Sequence, residues 1–62
     1  MKSAELIREL LSAGRRLDRL RGSHHVFKHP QWGGIVVVPH PKQDLGIGLL
    51  AAIRKQARLP EK

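Results

Sequence analysis

The sequence has no cysteine and no tyrosine, and its aromatic side chains are limited to Phe27 and Trp32. Without cysteine there is no disulfide to reinforce the fold, and a four-ligand zinc site would depend on histidines and carboxylates alone. The scarcity of aromatics argues against a surface on which successive bases stack. A chain of 62 residues buries only about 60% of its unfolded surface, so we expect marginal stability.

Acidic residues are scarce as well. Lys and Arg number 12 against 5 Asp and Glu, which gives a net charge of +7 with neutral histidines. A charge this high on a small surface predicts a polyanionic partner, nucleic acid first, with a membrane surface or an acidic protein as alternatives. Catalysis by a carboxylate pair is excluded because the acids are scattered, at Glu5, Glu9, Asp18, Asp44 and Glu61.

Long apolar runs are missing too. None approaches the roughly 20 residues that cross a bilayer, and no signal-peptide core follows the N-terminus. We therefore expect a cytoplasmic protein with no membrane contact and one domain over residues 1–62. The glycine pairs at 33–34 and 46–48 lack the lysine with which a P-loop cradles phosphate.

Two amphipathic segments predict helices. The first covers residues 3–13, with Ser3 as its cap and Gly14 at its end. The second covers residues 46–58, has Asp44 or Gly46 as its cap, and is stopped by Pro60. Their apolar stripes, at helical spacing, are Leu6, Ile7, Leu10 and Leu11 in the first helix and Ile47, Leu50, Ile53 and Ala57 in the second.

Three segments between the helices predict strands. Residues 15–21 indicate an edge strand rich in arginine, although Leu17 and Leu20 do not alternate cleanly. Residues 24–29 form the second strand and residues 35–39 the third, whose run of β-branched residues predicts a central or well-covered position. The fold is therefore α+β, a three-stranded antiparallel sheet with two helices on one face in the order α-β-β-β-α. Double-stranded-RNA-binding domains share this layout.

A glycine-serine turn followed by histidine is the feature with most chemical meaning. Gly22 and Ser23 turn the chain into the second strand, and alternation places His24 and Lys28 on the face opposite Phe27. That face is left open by the helices and carries lysines and arginines.

RNA cleavage needs a base for the 2′-hydroxyl proton, cations for the phosphate and an acid for the leaving oxygen. Histidine suits the base role because its ordinary pKa is about 6.5. We interpret His24 as the general base or the general acid, positioned by the turn before it, with Arg21, Lys28 and Lys42 as phosphate contacts. The RNA supplies the nucleophile, so neither a metal nor another cofactor is expected.

The other histidines have simpler interpretations. His25 and His29 are expected to be structural or solvent-facing, and four residues along a strand separate them by about 13 Å, too far to chelate one ion. His40 is interpreted as a hydrogen-bond donor in its loop, with a role as second proton carrier left open.

The whole chain resembles the HicA-type toxins, the small mRNA-cleaving half of bacterial HicA–HicB toxin–antitoxin pairs. The matching pieces are residues 2–7, Gly14, residues 22–25 with Phe27, residues 29–30, 38–41 and 53–57. The resemblance implies ribosome-independent mRNA cleavage, a catalytic histidine directly after Gly-Ser, which is His24 here, and a cognate HicB-type antitoxin that covers the active face.

Two positions depart from that family. Arg15 stands where the family commonly has an aromatic, which is expected to thin the core near the first strand. Arg58 stands where the family often has glycine, which is expected to alter the end of the second helix. Two other functions remain open: a non-catalytic RNA- or DNA-binding module, and a protein-interaction domain with an acidic partner.

Overall fold

The computed structural model describes residues 1–59 and shows the predicted order of elements. Helix α1 spans Ser3–Ser12, followed by strands β1 (Arg16–Arg21), β2 (His24–Lys28) and β3 (Ile35–Pro39), and helix α2 spans Ile47–Gln56. The strands form one antiparallel sheet in the order β1-β2-β3. The predicted α+β class is thus confirmed, while Pro60, the predicted stop of the second helix, lies outside the described residues.

Both helices pack on the same face of the sheet. Phe27 and Val36 are paired across β2 and β3, and with Val38 they form the floor of the core. The helices and the loop before α2 cover this floor with Leu6, Leu10, Leu45, Ile53 and Ala57. Burying each large aliphatic or aromatic side chain contributes about 1.5–3 kcal/mol, so this one cluster holds the sheet and both helices together.

Strand β3 is an edge strand, so the prediction of a central or well-covered position was wrong. The central strand is β2. Val36 and Val38 are buried in the core, but Ile35 and Val37 remain 51% and 37% exposed on the other side. One side of β3 is therefore covered by the helices, and the other side is also apolar but is not covered by any helix of the described fold.

Two predictions about the helix starts were also wrong. Ser3 is the first residue of α1 rather than its cap, which is Lys2, and the Ser3 side chain is buried. Ile47 is 89% exposed because the buried side of α2 begins only one turn later, at Leu50 and Ile53. The cap of α2 is Gly46, one of the two predicted positions. Its φ is +72°, and its N–H donates to Asp44 Oδ1 at 3.1 Å.

A β-bulge explains why the leucines of β1 do not alternate. Leu17 pairs with Phe27, but the next pair along is Arg19 with Val26, so Asp18 is the extra residue. A bulge sets two residues of one strand against one residue of its partner and shifts every later side chain to the other face. Leu17 and Leu20, three residues apart, therefore share the helix side of the sheet.

Gly14 ends α1 as predicted, and substituting it tests this ending. Its φ is +92°, and a β-carbon there would lie 3.1 Å from His29 Nε2. We expect Gly14→Ala to lower the free energy of unfolding by about 1–2 kcal/mol, the cost of a left-handed conformation for an L-residue. In a domain of this size each kcal/mol corresponds to a fall in Tm of about 4–8 °C.

Gly33→Ala is the matched control, because no atom of residues 1–59 lies within 4 Å of a β-carbon built there and its φ is not positive. Thermal unfolding followed by circular dichroism measures both variants. Equal Tm values for the two variants would contradict this account of the helix end.

Candidate functional site

His24 begins β2 directly after the two-residue turn of Gly22 and Ser23. Gly22 has a φ of +59°, which two-residue hairpins commonly require at this position. His24 pairs with Arg21 on β1 and with Pro39 on β3, and it is exposed. The structure thus places His24 at one end of the central strand, on the face of the sheet opposite the helices.

That face, called the open face below, is divided into a basic part and an apolar part. The residues on it are Arg16, Arg19 and Arg21 of β1, His24, Val26 and Lys28 of β2, and Ile35, Val37 and Pro39 of β3. A shallow depression of about 320 Å³ is lined by Arg19, Arg21, His24, Val26, Ile35 and Val37. The imidazole therefore lies between two guanidinium groups on one edge strand and an aliphatic surface on the other.

The bulge at Asp18 is what brings the arginines to this face. In an uninterrupted strand Arg19 and Arg21 would lie on the same side of the sheet as Leu17, opposite His24. The extra residue moves both of them to the side of His24. Arg19 was not among the predicted site residues, and the signal that could have found it is the three-residue spacing of the two leucines in β1, which a regular strand cannot place on one face.

Lys28 lies on the open face, but four residues along β2 separate it from His24, about 13 Å. Its Nζ is 3.1 Å from Asp18 Oδ1, and Arg19 Nε is 3.7 Å from Asp18 Oδ2. The two basic side chains of these pairs are 60% and 58% exposed. Exposed ion pairs contribute about 0–1 kcal/mol, so both cations remain available to a phosphate that displaces the carboxylate.

Lys42 is held elsewhere. Its N–H donates to Ser3 Oγ and its carbonyl accepts from the Ser3 N–H, both at 2.9 Å, which fixes its backbone beside the start of α1. Its side chain is exposed, but it does not line the depression. Of the three predicted phosphate contacts, the structure therefore brings only Arg21 into the depression with His24.

His40 supports the turn from the helix side. Its N–H donates to Ser23 O at 2.7 Å, and its Nδ1 lies 2.7 Å from Ser3 Oγ. Because Ser3 Oγ already accepts from the Lys42 N–H, its own hydrogen is free to be donated to His40. His40 thus forms a hydrogen bond in its loop, as expected, but its ring accepts from Ser3 and does not act as the predicted donor. This contact ties the turn to the start of α1.

His25 lies on the other side of β2 from His24. It is half-buried on the helix side, where its ring meets the edge of the His40 ring with centroids 4.7 Å apart. This contact fits the predicted structural role.

Among residues 1–59, no three His, Asp or Glu side chains are close enough to hold a metal ion. Over the same range, no helix has the length and apolar character to cross a bilayer.

Comparison with known protein families shows which family this chain resembles. A family model described as "HicA toxin of bacterial toxin-antitoxin" matches residues 3–59, which include every helix and strand of the fold. No curated protein matches the chain at a significant level.

Removing the Asp18 carboxylate tests whether the open face binds nucleic acid. Asp18→Asn removes the carboxylate that pairs with Lys28 and Arg19, which raises the net charge of this face by one unit. We expect about two- to five-fold tighter binding of a single-stranded RNA at low salt, the effect of an exposed pair of up to about 1 kcal/mol. Fluorescence anisotropy of a labelled RNA measures the affinity.

Glu5→Gln is the matched control for the change in net charge. Glu5 is exposed on α1, and its side-chain oxygen accepts from the Lys2 N–H at 3.2 Å, which an amide oxygen also does. The same gain in affinity for both variants would mean that net charge, and not the open face, governs binding.

Proposed function

Because the chain belongs to the HicA family of bacterial toxins, it has the role of a toxin with a cognate antitoxin as partner, and we propose that it is a metal-independent, ribosome-independent endoribonuclease that cleaves mRNA with His24. The observation that carries this proposal is the depression on the open face. There an exposed imidazole lies with Arg19 and Arg21 on one side and aliphatic side chains on the other.

In the proposed reaction His24 accepts the proton of a ribose 2′-hydroxyl. The 2′-oxygen then attacks the adjacent phosphorus, the bond from phosphorus to the 5′-oxygen breaks, and the leaving oxygen takes up a proton. The products are a 2′,3′-cyclic phosphate and a 5′-hydroxyl. A neutral imidazole can accept the first proton, and general acid–base catalysis of this kind contributes about 10²- to 10⁴-fold.

The arginines supply the electrostatic part of the proposal. Negative charge grows on the phosphate oxygens as the 2′-oxygen attacks, and fixed cations stabilise that charge. Guanidinium groups suit this task because they donate two parallel hydrogen bonds to phosphate. Arg21 is paired directly across from His24, and Arg19 is two residues away on the same face. These two residues are therefore the proposed phosphate contacts, with Lys28 and Lys42 binding the strand farther from the cleaved bond.

The aliphatic part of the depression contacts the substrate without hydrogen bonds. Val26 forms its floor and is buried, while Ile35 and Val37 are partly exposed beside it. Such a surface accepts a ribose or any base, which favours cleavage with little dependence on sequence. The same exposed aliphatics, next to a row of cations, suit an acidic protein. A HicB-type antitoxin that covers this face would exclude RNA and keep the nuclease inactive.

The His24→Ala variant tests the proposal most simply. We expect cleavage of single-stranded RNA in EDTA to fall by about 10²- to 10⁴-fold, because the proton acceptor is removed. RNA affinity and the circular dichroism spectrum should stay close to those of the wild type, since His24 is exposed and outside the core. New RNA ends separated on a denaturing gel give the rate.

Two outcomes would contradict the proposal. Cleavage that persists in His24→Ala, but is lost in His40→Gln, would move the catalytic role to His40. Wild-type protein that binds RNA without producing any new ends would favour the non-catalytic binding module, and absence of RNA binding at low salt would favour a protein-interaction domain.

A further inference from the structure

A second cluster of cations lies around Trp32, in the connection between β2 and β3. The His29 ring stacks on the indole, with centroids 4.0 Å apart and planes at 18°. The guanidinium carbons of Arg58 and Arg15 lie 5.0 and 5.9 Å from the indole centroid. Residues that are far apart in sequence thus converge on the one tryptophan of the chain.

Arg15 is a buried cation without a counter-ion among residues 1–59. It is only 3% exposed, and its Nη2 donates one long hydrogen bond, of 3.4 Å, to Gln56 O at the end of α2. Its Nε and Nη1 are buried and have no partner within that range. The Arg15 side chain is itself buried, but no residue of β1 belongs to the core, which agrees with the expected thinning of the core near the first strand. Burial, and then the charge of Arg58, lower the pKa of Arg15.

A buried guanidinium whose hydrogen-bond donors are unsatisfied is costly unless something pairs with it. A second cation beside it adds repulsion. Native proteins satisfy nearly all buried donors, and each exception calls for an explanation. The two unpaired nitrogens of Arg15, Nε and Nη1, therefore point to an anion as the missing partner.

Arg58 has an unusual backbone conformation, which gives a second and independent observation. Its φ is +60°, a value that favours glycine, and it is exposed. The chain closes α2 here in the usual way, with the Leu59 N–H bonded to Arg54 O at 2.9 Å. The expected change at the end of the second helix is therefore absent at this position. Arg58 thus adopts a backbone conformation that favours glycine. Its guanidinium lies over the Trp32 indole, as the guanidinium of Arg15 does.

We propose that Arg15 and Arg58, with Trp32 beside them, form a binding site for a phosphate group. Guanidinium groups donate paired hydrogen bonds to phosphate, and a phosphate dianion matches two positive charges better than a single carboxylate does. The exposed side chain of Arg58 can swing away from the indole, which opens a path to the Arg15 N–H groups. The phosphate is either a free anion or part of an RNA.

This site is separate from the depression at His24. Arg15 is anchored between the ends of the two helices, through its N–H to Leu10 O and its side chain to Gln56 O. His29 follows the far end of β2, whereas His24 begins that strand. The phosphate site therefore does not depend on RNA cleavage, and each proposal can fail alone.

Trp32 fluorescence tests the site directly, because the chain has one tryptophan and no tyrosine. The full-length protein is titrated with inorganic phosphate while potassium chloride keeps the ionic strength constant. We expect a saturable change in emission for the wild type and for His24→Ala. Arg58→Gly should weaken phosphate binding at least ten-fold, and Arg15→Gln should do the same if circular dichroism shows that it remains folded.

Arg58→Gly is the decisive variant, because glycine adopts the positive φ without strain. Lys55→Gln is its matched control, since it removes an exposed cation of α2 other than the two arginines that lie over the indole, and it should bind phosphate like the wild type. Two short RNAs, one with a 5′-phosphate and one without, identify the source. A response to both indicates backbone phosphates, and a response only to the first indicates a terminal phosphate.

Three results would overturn the proposal. Emission that does not change with phosphate, or that changes equally in Arg58→Gly, would make Arg15 a structural cation covered by the indole. A change produced by potassium chloride alone would indicate screening and no site. Saturable binding of acetate without binding of phosphate would instead indicate a site for the carboxylate of a protein partner.

Discussion

The extra residue at Asp18 is the constraint on which the open face depends. A strand of regular alternation would place Arg19 and Arg21 on the side of the sheet where the helices pack, away from His24. With one residue bulged out, the leucines keep the helix side and the arginines join His24. Because of this one irregularity, two of the positive charges of the chain lie close to the His24 imidazole. Bulges are frequent next to active sites.

The helix side of the molecule holds this arrangement in place. The core is small, so the turn that carries His24 relies on hydrogen bonds as well as on packing. The His40 N–H donates to Ser23 O, and the His40 ring is hydrogen-bonded to the Ser3 hydroxyl. These two hydrogen bonds link the turn to α1. Ser3 is the first residue of α1 rather than its cap, and its hydroxyl bonds to His40 and Lys42 of the loop.

Much of the fold could be predicted because it depends on patterns among residues that are close together in the sequence. Helical spacing, the glycine at the end of α1 and the Gly-Ser-His turn each depend on neighbouring residues, and they gave the order of elements and the position of His24. The place of β3 at an edge could not be predicted, because β-branched residues indicate a strand without saying what covers it. Arg19 and the cluster at Trp32 depend on register and on contacts between distant segments.

The molecule thus presents cations in two ways. On the open face they are exposed and close to an imidazole, which suits a substrate that is bound and released. Around Trp32 one of them is buried, which suits an anion that is bound more tightly. This difference follows from position in the sheet: β1 is uncovered along its whole length, whereas Arg15, one residue before it, lies under the ends of the helices.

The central claim is that RNA contacts the sheet on the side opposite the helices, and NMR tests it most directly. Isotope-labelled protein is titrated with an RNA whose 2′-hydroxyls are replaced by hydrogen, so that it binds but cannot be cut. The account predicts that the side-chain signals of His24, Val26 and Val37 shift first, and that a HicB-type antitoxin shifts the same signals. Shifts confined to Leu10, Ile53 and Ala57, with the His24 ring unchanged at saturation, would contradict it.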